Sequence, residues 1–193
     1  GIAGDATGTS ITSCVATSVT ASGSSYVGGV TGYTTMAVDN INVTNTTVSG
    51  TGDYVGGIAG EIKNSASECS VQASISGNNY TGGIAGEISG DVTNCSTDIK
   101  LTGANYIGGI TGHTAGEISL STAKGSVTTT DTVNCRAGGI VAVASGNIIN
   151  CYSSATINGG LYSGGIVGYT SAKVDNCYSC GNISAMKYGA GVA

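Results

Sequence analysis

The chain has no proline, no tryptophan and no phenylalanine, a single histidine, and only 9% charged residues in 193. Leucine is scarce too: three Leu stand against 18 Ile and 17 Val. β-Branched residues lose rotamer freedom in a helix and pack well on a pleated sheet, so this bias points away from helices. The missing proline excludes collagen, which also needs a strict three-residue glycine period. Six Lys+Arg against eleven Asp+Glu, a net charge of −5, leave no basic surface for nucleic acid or anionic lipid. No run approaches the ~18 apolar residues of a membrane span. A mean hydropathy of +0.21 with so little charge argues against disorder.

What is abundant is glycine, 34 of 193 residues, and its placement is periodic. The string Tyr-x-Gly-Gly-Ile starts at Tyr54, Tyr80, Tyr106 and Tyr162, with variants at Tyr26, Arg136 and Tyr188. Its second glycine falls at Gly29, Gly57, Gly83, Gly109, Gly139, Gly165 and Gly191, and Gly1 begins the same string already cut. Neighbouring glycines are therefore 26 to 30 residues apart, which makes seven repeats. Twelve residues after the glycine stand Cys69, Cys95, Cys151 and Cys177; Cys14 is one place later, and Ser121 takes the position in the fifth repeat. From there the pattern alternates with period two, as in Cys69, Val71, Ala73 and Ile75, which marks a strand with one face inward. Val92, Ile118, Ile148 and Val174 share a column just upstream. Asn94, Asn150 and Asn176 precede the cysteine, where a residue tolerant of the left-handed region can turn the chain.

Each repeat predicts three short strands separated by turns. About 26 residues cannot bury a face alone, but stacked coils share one continuous core. The expected fold is all-β, a single-stranded parallel β-solenoid of about seven coils, with residues 1–193 as one domain. Seven rungs at ~4.8 Å give a rod of about 34 Å. Missing proline fits, because inner strands must donate their N–H groups to the next coil.

These residues resemble a known family. Gly164-Gly-Ile-Val-Gly168 followed by Val174-Asp-Asn-Cys-Tyr-Ser-Cys-Gly-Asn-Ile183 is similar to the GLUG repeat of bacterial surface proteins. Gly138-Gly-Ile-Val-Ala142 with Ile149-Asn-Cys-Tyr-Ser-Ser-Ala-Thr-Ile157 resembles it almost as well. The departure is Cys where the family commonly has Ser. The resemblance implies a segment of a large secreted adhesin or protease, outside a bacterial cell.

The candidate sites are ladders. Tyr26, Tyr54, Tyr80, Tyr106, Tyr162 and Tyr188 form an aromatic column that either stabilises one corner or offers a sugar-binding strip; Tyr152 and Tyr178 make a separate outward pair. Cys14, Cys69, Cys95, Cys151 and Cys177 read as small buried hydrophobes, with Cys69/Cys95 and Cys151/Cys177 as conceivable disulfides; parallel Cβ vectors suit those poorly. Cys135 and Cys180 lie off that column and are the expected exposed thiols. Gly57, Gly83, Gly109, Gly139 and Gly165 let neighbouring backbones approach closely. Asp5, Glu61, Glu87 and His113 share a column that could hold calcium or an acid/base pair, with His113 more simply a surface filler. Converging charges and long cleft-forming loops are not evident, so no catalytic residue, metal or cofactor is assigned.

Three functions follow in order of preference. The first is a non-catalytic extracellular rod, an adhesin stalk or a filament subunit stacking end to end, with itself, a host protein or a surface glycan as partner. The second is ice binding, which needs a sustained flat Thr-x-Thr face. The outward pairs Ser74/Ser76, Lys100/Thr102, Ser126/Thr128, Thr156/Asn158 and Asn182/Ser184 are small but mixed. The third is a carbohydrate-binding adhesin module using the tyrosine ladder. A column of Ala3, Thr31, Ala59, Ala85, Thr111, Val141 and Val167 is flat and weakly apolar if it faces out, and would then suit packing against another protein. Both ends fall at the same point of the repeat, and no initiator Met or signal-peptide pattern is present. The reading is a trimmed segment of a longer array or a stacking subunit.

Overall fold

The computed structural model describes residues 2–131 and 133–193; Gly1, first of the glycine series, lies outside them. No helix occurs among the described residues, so none crosses a membrane as a helix. The chain winds as a parallel β-solenoid in which every strand pairs with its equivalent in the next coil. In the third coil the strands are Ala59–Ile62, Ala66–Ser67, Ser70–Ser76 and Thr81–Gly82. We call the four resulting sheets A, B, C and D in that order. Sheets A, B and D each hold seven strands, while sheet C holds ten because several of its strands are broken in two. Four sheets arise where three strands per repeat are expected because Tyr-x-Gly-Gly-Ile-x-Gly bends at its Gly-Gly pair. Its first half joins sheet D and its second half joins sheet A.

That bend depends on glycine. In the column Gly29, Gly57, Gly83, Gly109, Gly139 and Gly165, a Cβ at any member would collide with the carbonyl oxygen of the glycine one coil on. Two of these carbonyls also carry the ladder: Gly29 N–H donates to the Gly57 oxygen and Gly57 N–H to the Gly83 oxygen, each at 3.0 Å. Contact this close has no room for a side chain.

Inside, isoleucine and valine dominate. Ile58, Ile84, Ile110, Ile140 and Ile166 form one buried column, and Val38, Ala66, Val92, Ile118 and Ile148 form another. The column Thr31, Ala59, Ala85, Thr111, Val141 and Val167 also points inward, with exposures of 0–1% where values are resolved. The column therefore offers no outer face for packing against another protein. The Gly-Gly bend re-phases the alternation, so the second residue after the glycine faces the core instead of solvent. Thr31 and Thr111 are accommodated by donating to the carbonyls of Tyr33 and His113 at 3.0 Å.

The turn between sheets B and C is more regular than the sequence suggests. Ser13, Asn40, Glu68, Asn94, Leu120, Asn150 and Asn176 all adopt φ between 49° and 55°. Asparagine is therefore the fitting residue at a left-handed position that all seven coils share. Leu120 is the misfit, large, apolar and 56% exposed. Replacing Leu120→Asn should raise stability by about 0.5–1 kcal/mol, since Asn visits this region at lower cost. Urea unfolding of the two proteins checks it, and a loss of stability would contradict the account.

Candidate functional site

The tyrosines stand where the chain enters sheet D, each at or just before the first residue of its strand. Tyr26, Tyr54 and Tyr80 sit at φ of 55°, 62° and 49°, which swings each ring to the edge of the rod. Ring centroids are 4.9, 5.1 and 4.7 Å apart from Tyr26 to Tyr106, with planes within 14° of parallel. Tyr162 and Tyr188 continue the stack at 4.8 Å. Between the two runs lies Arg136, its guanidinium carbon 5.3 Å from the Tyr106 ring centre and 5.6 Å from that of Tyr162. Its Nη1 also donates to the Tyr106 hydroxyl at 3.2 Å. A planar cation thus fills the missing rung. Each inner ring has both faces covered by neighbours, so the ladder shows solvent only edges and hydroxyls.

Beside it, sheet A aligns Asp5, Tyr33, Glu61, Glu87, His113, Val143 and Tyr169 in register. Tyr33, His113 and Tyr169 meet Tyr26, Tyr80 and Tyr162 edge-on. The column expected from sequence exists, and two of its three carboxylates have basic neighbours. Glu61 is buried and ion-paired with Lys63, and Glu87 Oε1 lies 3.8 Å from His113 Nδ1. The neighbouring His113 imidazole holds the Glu87 carboxyl below its ordinary range. Burial first, and then the adjacent Glu87 carboxylate among other charges, pushes the Tyr54 phenol up. His113, taken from sequence as a surface filler, is half-buried between a carboxylate and a ring. Among the described residues no group of three or more His, Cys, Asp or Glu side chains could hold a metal ion.

The cysteine column closes the left-handed turn. Cys69, Cys95, Cys151 and Cys177 each donate Sγ–H to the carbonyl two residues back, at 3.1, 3.5, 3.3 and 3.3 Å. Cys14 does the same to Thr12, and Ser121 Oγ bonds the Ser119 carbonyl at 2.9 Å. Thiol and hydroxyl serve interchangeably in this bond. All seven cysteines are free thiols. Cys180 is exposed, as expected, with Sγ 3.0 Å from the Tyr152 hydroxyl, while Tyr152 and Tyr178 stack outward at 5.6 Å. Cys135 is not exposed; it is fully buried, packed under the backbone of Gly160 in the following coil. The period offered no warning, because the equivalent place before the tyrosine holds Asn79 and Asn105 in the two preceding coils, both only half-buried.

Burial pushes the Cys151 thiol up to about 12 and raises Cys135 too. Contact with the Cys69 thiol, together with burial, raises Cys95. Thiolate is the reactive form, so these sites should resist alkylation at neutral pH. Native protein treated with iodoacetamide should modify Cys180 first and Cys14 and Cys177 slowly. Cys69, Cys95, Cys135 and Cys151 should react only after unfolding, as peptide mass spectrometry would read. Fast labelling of Cys135 would contradict its placement.

Sheet C presents the outer polar face. Thr20, Thr47, Ser74, Lys100, Ser126 and Thr156 stand in one column, and Ser22, Ser49, Ser76, Thr102, Thr128 and Asn158 in the next. The ice-binding columns do line up as expected, but the sheet beneath them is bent rather than flat. Its strands break between Thr17 and Thr20, between Ser153 and Thr156, and between Ser179 and Ile183. At the same level Asn45 forms a bulge with φ 50°, and Gly125 has φ 96°.

No family model matches the sequence, and no curated protein matches it either. A solved structure from Bacteroides ovatus, described as a "putative immunoglobulin A1 protease", superimposes with a TM-score of 0.76 at 21% identity. The match covers 89% of this chain and 60% of that one. What the two share is the fold. Sequence reasoning located every residue of the tyrosine column, Arg136 included; it missed that the Arg136 guanidinium stacks between Tyr106 and Tyr162, and that Lys63 pairs with Glu61. Lys63 lies two residues along the same strand direction from Glu61, a spacing that could have signalled the pair.

Proposed function

We propose that this chain is a rigid, non-catalytic rod of a bacterial extracellular protein, an adhesin stalk or filament segment. The observation that carries it is the continuity of all four ladders, each joining every coil from first to last. A load along the rod meets strand hydrogen bonds, a stacked ring column and an unbroken apolar core together. The resemblance to GLUG repeats supports a surface location.

Electron microscopy of the native material tests the proposal. Straight rods or filaments with a rise of ~4.8 Å per rung are expected, so that seven rungs add about 34 Å. Compact particles without a rod would overturn it. So would an enzymatic turnover abolished by Glu61→Gln or Glu87→Gln. The bent sheet C favours the rod over ice binding, which needs one flat face. Absence of thermal hysteresis in a cold-stage droplet assay is the expected result.

A further inference from the structure

The bend in sheet C leaves a groove along the outside of the rod. We propose that this groove binds a linear, carboxylate-bearing polysaccharide lying parallel to the solenoid axis. The site is distinct from the tyrosine ladder, whose ring faces are already covered.

The groove is built at one level in successive coils. In the second coil Thr44 and Asn45 together face Gln72, so the strand bulges there, with Asn45 at φ 50°. In the fifth, Gly125 takes a left-handed conformation in which a Cβ would strike the Ile99 carbonyl. The resulting depression has a volume of about 460 Å³. Its floor is backbone, because Thr46, Ala73 and Ile99 turn their side chains into the core. Its walls are Asn45, Gln72 and Asp98 on one side and Ser74, Lys100 and Ser126 on the other.

Shape and chemistry choose the occupant. Breaks at the same level in the first, sixth and seventh coils carry the bend past the depression, which suits an extended polymer. A backbone floor offers no side-chain pockets, so a peptide would find nothing to specify its residues. Hydroxyl, carboxamide and charged groups repeating at rung spacing match a chain that carries hydroxyls on every unit. Asp98 lies in register with Lys124 and two residues from Lys100, and these three form no ion pair among the described residues. Two cations against one carboxylate reverse the sign of a chain whose net charge is −5. That local excess is what a uronate carboxylate would meet, while Asp98 accepts from ring hydroxyls and the Gln72 carboxamide both accepts and donates.

Calorimetric titration with oligogalacturonides, and separately with neutral cello-oligosaccharides, tests this. The acidic oligomers should bind and the neutral ones should bind at least tenfold more weakly. The double substitution Lys100→Gln with Lys124→Gln should weaken binding about tenfold or more, the scale of losing charge-assisted hydrogen bonds. Ser74→Tyr, which fills the depression, should abolish it, while a thermal melt reports whether that variant folds. The exposed lysine variant keeps the test decisive if Ser74→Tyr does not. No binding by either oligomer, equal binding of both, or binding untouched by the lysine changes would each overturn the proposal. Loss on Tyr54→Ser instead would move the site to the tyrosine corner and overturn it as well.

Discussion

Gly83→Ala should unfold this protein or come close to it, a loss of more than about 3 kcal/mol from one methyl group. The added Cβ would overlap the Gly109 carbonyl and the Thr97 methyl. Relief requires moving two coils apart where the ladder bonds hold them together. Side-chain repacking cannot help, because the obstacle is backbone. Gly4→Ala is the internal control: a Cβ there meets nothing within 4 Å, so no loss is expected. Urea unfolding followed by far-UV circular dichroism reads both. A cost near 1 kcal/mol for Gly83→Ala, the ordinary value for a point change, would mean the coils can slide and the rod is soft.

The second large effect is expected at Tyr80, the rung with stacked neighbours on both sides. Tyr80→Ala removes contacts with Tyr54 and Tyr106 at 5.1 and 4.7 Å, and the edge contact with His113. Loss of buried ring area and of two stacking partners should cost about 3 kcal/mol, while Tyr80→Phe keeps the stack and should cost under about 1 kcal/mol. The exposed hydroxyl edge is what separates the two variants. If instead Tyr80→Ala left stability unchanged and removed binding of a neutral sugar, the column would be a recognition surface. Stability and binding measured on the same variant discriminate the two roles.

Both predictions rest on columns that can be read from spacing alone. The glycine series placed the coils, and the alternation after Cys69, Cys95 and Cys151 placed the long strand. Stacking multiplies each of these signals, because a side chain repeats against its own equivalent. Where one coil departs from its equivalents, that multiplication fails. Cys135 was misjudged for this reason, since Asn79 and Asn105 hold its place in the two preceding coils and are only half-buried. Likewise the inward column of Ala59, Ala85 and Thr111 depends on a bend whose sense the spacing does not contain.

The absences that mark this sequence acquire definite causes. Lack of proline reflects ladders in which each strand must donate to the next coil. Scarce large side chains reflect a core fed by isoleucine and valine columns only a few residues across. Composition and period by themselves determined the solenoid, the number of coils and which residues share a column, because a parallel stack converts sequence period into spatial register. Only the tertiary structure decided which way each column faces, that Arg136 sits as a cation within the tyrosine stack, and that sheet C is folded into a groove. Those depend on left-handed residues, bulges and chain reversals, whose direction is set by packing across coils and not by spacing along the chain.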